Sequence, residues 1–435
     1  MRILSRLSIS LATACVMATS SANADTMSKS DFINFDPKQA ALGQLLFYDK
    51  ILSGNQNISC GTCHHHTLGG TDGVSLGIGE GGEGLGPNRN PGSGETKIAS
   101  RIPRNAPALW NLGHRDVRVL FHDGRVEVTD AKGGRFETPA EARLPHGLNS
   151  ILAAQALFPM SSDAEMAGIA SENPVGAAFE ERIDHGWEAV ANRVRNTPEY
   201  EPHFAKAFPH VAAAQDITIV EIANALAAFI GTEWQSFDSP YDTYLTAGTP
   251  LPADAERGRQ LFFGEAGCAQ CHNGPLFSDQ GFHSVGVPAF GPGRIDGQRD
   301  IGRMETTGDP DDAYKFRTPS LRNIALTGPY GHNGAFPTLR DMIRHMANPE
   351  GSLADWTPDM ASLPKVAWLQ DADFKVMSDQ NEMQRLLANL DTTKVSLSDA
   401  DISDIEAFLH TLTGASAETL PMGRPDTVPS GLLVD

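Results

Sequence analysis

The chain has 435 residues, 40% of them hydrophobic and 20% charged; the length serves two or three domains, and the balance excludes a disordered chain. Asp and Glu outnumber Lys and Arg by 54 to 34, a net charge of −20. Such a surface repels phosphate backbones and argues against nucleic acid as a partner.

In chain order, Met1-Arg2 and Arg6 come first, then a largely apolar run from Leu7 to Thr19, then Ala22-Asn23-Ala24. A basic start, an apolar stretch and a small-x-small site in that order predict a secretory signal peptide, residues 1–24, cut before Asp25. The apolar run is shorter than the roughly 20 residues a membrane span needs, and no later segment is long and apolar enough. The expectation is a periplasmic protein with no membrane span. Cleavage removes Cys15 with Arg2 and Arg6, leaving four cysteines and 32 basic against 54 acidic residues, a charge of −22.

Leu42-Gly43-Gln44-Leu45-Leu46-Phe47 predicts a short helix leading to Cys60-Gly61-Thr62-Cys63-His64. Gly69 to Gly94 holds 11 glycines in 26 residues and reads as loop. Its Gly77-x-Gly79-x-x-Gly82 matches a dinucleotide fingerprint, but no strand precedes it and no helix follows, so a nucleotide site is not expected. Helical periodicity marks Ser150–Leu157, Asp216–Ile230, Leu339–Met346 and Asp401–Leu412. Thr338 to Asp341 and Ser398 to Asp401 look like helix starts, and Gly414 like a stop. The proline-containing stretch Ser236–Pro252 is the expected boundary between two halves. After it, Arg257-Gly258-Arg259-Gln260-Leu261-Phe262 repeats the first lead-in and precedes Cys268-Ala269-Gln270-Cys271-His272.

Both cysteine clusters are C-x-x-C-H. That spacing lets two thiolates add to the two vinyl groups of one haem while the next residue turns its imidazole onto the iron. All four remaining cysteines are used, so neither a disulfide framework nor a zinc site is expected. The reading is two covalently bound c-type haems, with His64 and His272 as iron ligands. Strand signals are sparse. The expected fold is mainly α, two cytochrome c-like haem domains with long loops. The divisions are 25–240 for the N-terminal domain, 241–416 for the C-terminal domain and 417–435 for a C-terminal tail.

From about Asp36 to Thr413 the ordered motifs resemble the bacterial dihaem cytochrome c peroxidase and MauG superfamily. They include Arg104-Asn105-Ala106-Pro107, Phe121-His122-Asp123-Gly124-Arg125, Gln155-Ala156 and Glu165-Met166. After the second cysteine cluster come Phe316 to Ile324 and Gly328-Pro329-Tyr330-Gly331-His332-Asn333-Gly334. The resemblance implies that hydrogen peroxide is reduced at the N-terminal haem, with Glu165 as acid–base group and Gln155 as its positioning partner. It implies that the C-terminal haem transfers electrons and takes Met346, fourteen residues after His332, as axial ligand. A thioether raises a haem's potential relative to a second imidazole, which suits an electron acceptor. It also implies a calcium ion between the domains, held by Asn105, Thr327 and Pro329.

Two positions depart from that pattern. The distal histidine of peroxidases that need prior reduction falls at Glu80, so the first haem is expected to be open to peroxide. His65 and His66 lie too close to His64 to reach the other face. The tryptophan that relays electrons between the haems falls at His122, and Trp110 is a candidate substitute. Val126–Gly147 and Gly351–Ser396 are insertions without a legible motif. The sequence therefore predicts an exported peroxidase that draws electrons from a small cationic cytochrome c or cupredoxin steered by its acidity. The alternative is a MauG-like enzyme that uses peroxide to oxidise side chains of a partner protein. Relatives of this kind are often homodimers.

Overall fold

The computed structural model describes residues 26–129, 136–294 and 299–435; the signal-peptide reading at 1–24, with Cys15, falls outside them. Helices and loops dominate, as expected from the scarcity of alternating patterns. The described strands are short. Val119–Leu120, Val126–Val128 and Phe136–Glu137 form an antiparallel meander, and Phe282–His283 pairs with Phe316–Arg317. No described helix is long and apolar enough to cross a membrane.

Two large apolar cores account for the repeated lead-in. In the first, helix Pro37–Tyr48 crosses helix Ile219–Glu233. In the second, helix Ala253–Phe263 crosses helix Asp399–His410. The glycine shared by the two lead-ins sets both crossings. A Cβ at Gly43 would lie 1.9 Å from the Ala225 carbonyl oxygen, and one at Gly258 would lie 1.8 Å from that of Asp404. Only glycine lets backbones approach this closely. The Leu and Phe that follow fill the space beside each crossing: Leu46 and Phe47 in one core, Phe262 and partly buried Leu261 in the other.

Local chemistry fixes the helix ends. Thr338 Oγ1 accepts from the Asp341 N–H at 3.1 Å, and Ser398 and Asp401 cap each other as expected. The helix predicted from Asp216 begins at Ile219, because Thr218 and Glu221 close a reciprocal cap there. The stretch Ser236–Pro252 is not simply a linker: it contains helix Pro240–Ala247. Ser239 and Asp242 cap that helix and Pro240 occupies its first turn, so the proline starts a helix rather than breaking one.

The later insertion is an organised strap. Residues 351–396 reach back across the glycine-rich loop of the N-terminal half. Arg101 donates to both carboxylate oxygens of Asp373 at 2.8 and 2.9 Å, and the pair is buried. Ser75 N–H donates to Ser362 O, and Val366 packs on Ile78 and Ile98. The described part of the first insertion carries the second and third strands of the meander.

Candidate functional site: two cysteine–histidine cavities

The two C-x-x-C-H segments adopt similar local geometry. Cys60–Cys63 is one helical turn and Cys268–Gln270 a tighter one. All four thiols are free, with no disulfide among the described residues. His64 Nδ1–H donates to Gly70 O at 2.9 Å, and His272 Nδ1–H to Phe277 O at 2.9 Å. Anchoring one ring nitrogen on a carbonyl fixes the tautomer and leaves Nε2 as the free electron pair, as iron-binding imidazoles require. Burial keeps both imidazoles neutral by lowering their pKa.

Each segment opens on a large cavity. The first, about 560 Å³, is lined by Cys60, Cys63 and His64 together with Gln155, Phe158, Glu165 and Arg125. The second, about 450 Å³, is lined by Cys268, Cys271, His272, Met342 and Met346. Both sizes fall in the range of cofactor sites. Two thiols, an oriented imidazole and largely apolar walls are the donor set and surroundings that a covalent haem needs. Met342, Ile343 and Met346 of helix Leu339–Ala347 all line the second cavity, and Ile343 also belongs to the second core.

The residues predicted for peroxide chemistry converge on the first cavity. Gln155 lies near the end of helix Ile151–Ala156, which Ser150 caps through the Ala153 N–H at 3.2 Å. Glu165 sits in a single π-helical turn, Asp163–Ala167, closed by amides of residues 165 to 167 that all reach back to Ser162 O. Such turns re-aim one side chain and recur at functional sites. Burial pushes the Glu165 carboxyl up to about 6, although Arg125 pulls the other way. A carboxyl titrating there can both take and give a proton near neutrality.

The sequence reading missed the arginines. Arg104 meets both carboxylate oxygens of Asp300 at 2.6 and 2.7 Å and pairs with Asp123 at 2.6 Å. Arg125 and Arg294 each pair with Asp123 at 3.1 Å. This cluster holds the Asp123 carboxyl well below the usual range. Arg125 also lies 3.5 Å from the Phe121 ring centre and lines the first cavity. Arg104 and Arg125 stand inside the motifs quoted above, which was the only available signal; Arg294 stands in none of them. Asp72, another lining residue, is raised to about 7 by burial.

Asn105 to Ala108, Leu112, His122 and Arg317 line both cavities and so form their common wall. His122 Nε2–H donates to Asn105 O at 3.1 Å; burial, reinforced by Arg104, pushes its pKa down to about 4. Trp110 lines only the second cavity. Glu80 does not line the first. It accepts from Asn55 and Asn57 at 2.8 and 2.6 Å. His65 bonds to Thr67, and neither it nor His66 lines that cavity.

The three residues expected to ligate calcium lie on converging loops. Asn105 Nδ2 donates to Val74 O at 2.7 Å, which leaves Oδ1 as the side-chain atom a cation could take. A Cβ at Gly334 (φ +69) would lie 3.0 Å from both Asn105 Nδ2 and Pro329 Cγ, and Thr327 lines the second cavity with Asn105.

Residues 37–249 match the family model of di-haem cytochrome c peroxidases. Over 312 residues the chain is 30% identical to the methylamine utilization protein MauG of Methylorubrum extorquens, covering 71% of this chain and 68% of that protein. It is 28% identical over 312 residues to the cytochrome c551 peroxidase of Pseudomonas aeruginosa, covering 72% of each. A solved MauG-like protein associated with microbial copper homeostasis superposes with a TM-score of 0.59 at 27% identity, over 93% of this chain and 97% of that one. The dihaem peroxidase BthA of Burkholderia thailandensis shares the fold, with a TM-score of 0.57 at 22% identity over 95% and 94% of the two chains.

Proposed function

Since the chain belongs to the di-haem cytochrome c peroxidase family, we propose that it reduces hydrogen peroxide to water at a haem held by Cys60, Cys63 and His64. A second haem, which Cys268, Cys271, His272 and Met346 would hold, would supply electrons to that site. The observation that carries this reading is the meeting of Glu165, Gln155 and His64 around one cavity. Residues 25–240 and 241–416 are the two haem domains of this proposal.

Bound haem would supply the iron that coordinates peroxide and the electrons that break its O–O bond. The chain supplies proton traffic and charge. Glu165, with a pKa of about 6, is mostly ionised at neutral pH. It takes the proton from the near oxygen of peroxide and returns it to the far one, which then leaves as water rather than hydroxide. Gln155 holds peroxide beside Glu165. Arg125 stabilises negative charge building on the departing oxygen. Two electrons and two protons convert one peroxide to two waters. Glu80, held by Asn55 and Asn57, offers no imidazole to block the site, which supports peroxide access without prior reduction.

The remaining parts follow from the same reading. Asn105, Thr327 and Pro329 hold a calcium ion where the loops of both halves meet. The signal sequence at 1–24 directs the chain to the periplasm, and the acidic surface steers a small cationic cytochrome c or cupredoxin to it.

The second reading is a MauG-like enzyme that oxidises side chains of a partner protein. The missing histidine at position 80 favours it, whereas Met346, which lines the same cavity as His272, favours the peroxidase. Stopped-flow mixing with peroxide, with and without a reduced cytochrome, separates the two. Fast peroxide-dependent oxidation of the cytochrome is expected. A long-lived oxidised state that turns over poorly with the donor would instead establish the second reading.

A further inference from the structure

Two carboxylates with no part in the proposed chemistry are buried where the first helix pair ends. Asp49 terminates helix Pro37–Tyr48 and Glu233 is the last residue of helix Ile219–Glu233, and both are 0% exposed. A carboxylate at a helix C-terminus opposes the helix dipole, and a buried one needs donors. Much of that demand is met from the far end of the chain. Glu233 accepts from the Met422 and Gly423 amides at 2.9 and 2.7 Å. Asp49 accepts from Ser430 Oγ at 2.6 Å, and also from Tyr200. Gln44 donates back to the Met422 and Gly423 carbonyls. Val428 is buried in the first core, and Leu420, Met422, Leu432 and Val434 pack against it.

The segment finishes on the first cysteine cluster. Asp435 accepts from Thr62 Oγ1, in one of the two residues between Cys60 and Cys63, and pairs with Lys50 Nζ. Arg424 closes the segment on itself by donating to Asp435 O. Tyr48 covers the cluster from the helix side, since a Cβ at Gly61 would lie 2.4 Å from its ring. Gly61 and Thr62 are accordingly buried. Among the described residues the second cluster is more open: Gln270 is exposed and Ala269 partly so.

The thiols of each cluster mark the haem edge to which they bond, so whatever covers a cluster covers that edge. We propose that residues 417–435 cap the thioether edge of the first haem against outside one-electron reductants, leaving the edge at Cys268 and Cys271 as the place where electrons arrive. The inference rests on haem attachment at Cys60 and Cys63. Each transfer moves one electron from the reductant to ferric iron, and tunnelling falls steeply with the distance the cap adds. The cap explains how a two-haem enzyme keeps its peroxide site from being reduced out of turn.

The test uses the holoprotein and two variants: one ending after Gly423, and the full-length Ser430→Ala/Asp435→Ala. The second keeps the apolar seat and guards against a truncation that fails to fold. Dithionite is mixed in stopped flow, and rapid-freeze paramagnetic resonance separates the two irons by their axial ligands. Hydrogen exchange of the 59–64 amides gives a readout independent of electrons. The expected result is at least a threefold faster reduction of the first haem in either variant, with faster exchange at 59–64 and an unchanged rate at the second haem. A smaller rise in both variants overturns the cap. Mass spectrometry of the 60–64 peptide without a haem adduct would instead sink the premise, so the two failures are distinguishable.

Discussion

Replacing Glu165 by Gln keeps the shape of the side chain and removes its ability to carry a proton. A positioned acid–base group contributes roughly 10²- to 10⁴-fold, or about 3–5 kcal/mol of barrier. The peroxide-dependent step should slow by that factor in Glu165→Gln, with both haems retained. The pKa of about 6 adds a sharper expectation. In the proposed role the ionised form accepts the first proton, so the wild-type rate should rise with pH through about 6 and level off above it. At pH 5 roughly a tenth of the groups are ionised, so the rate should fall about tenfold from its plateau. The variant should lose this pH step entirely. Stability supplies a sign check. The folded pKa lies above the ordinary 4.5, so folding binds protons more tightly between about 4.5 and 6. The ionised carboxylate therefore costs stability above pH 6, up to about 2 kcal/mol. Glu165→Gln should be no less stable than wild type at pH 7. The assay is stopped-flow spectroscopy of the oxidised protein against peroxide from pH 5 to 8. An unchanged rate in the variant, or a pH step that survives the substitution, would refute the role.

Met346→His should lower the midpoint potential of one haem only, because imidazole replaces a thioether; potentiometric titration checks it. Gly258→Ala puts a Cβ 1.8 Å from the Asp404 carbonyl oxygen. It should cost about 1–3 kcal/mol or more in denaturant unfolding, and a change below 0.5 kcal/mol would contradict the crossing described here. Asp123→Asn leaves Arg104, Arg125 and Arg294 without their shared carboxylate. It should cost about 3–5 kcal/mol at pH 7. Because the native Asp123 pKa is depressed, its stabilisation is present above the ordinary carboxylate value and is lost as pH falls through the native one. The difference between wild type and Asp123→Asn should therefore shrink in acid unfolding.

The two C-x-x-C-H clusters, their repeated lead-ins and the helical character were legible in the sequence because each depends on near neighbours. Spacing within five residues fixes where two thiols and an imidazole lie, and a period of 3.6 marks a buried helix face. Thr338 and Ser398 were likewise legible as caps, since a cap bonds within its own turn. Gln155 and Glu165 could be named only through the resemblance; the fold brings them to the cavity of His64, by a helix end and a π turn that no periodicity announces. The common wall at His122, the pairing of Arg104 and Arg294 with Asp123 and the strap from Asp373 to Arg101 join residues 17 to 272 positions apart. Their contacts exist only once the chain has folded. The plainest case is the segment 417–435, which read as an unassigned tail. It carries no motif, and its meaning lies in Asp49, Glu233 and Thr62, whose polar groups its backbone and side chains reach. Sequence determined what the chain can bind covalently, because that chemistry is local. Tertiary structure decided which groups face the reacting site and what covers it, because burial and charge pairing are properties of the packed whole.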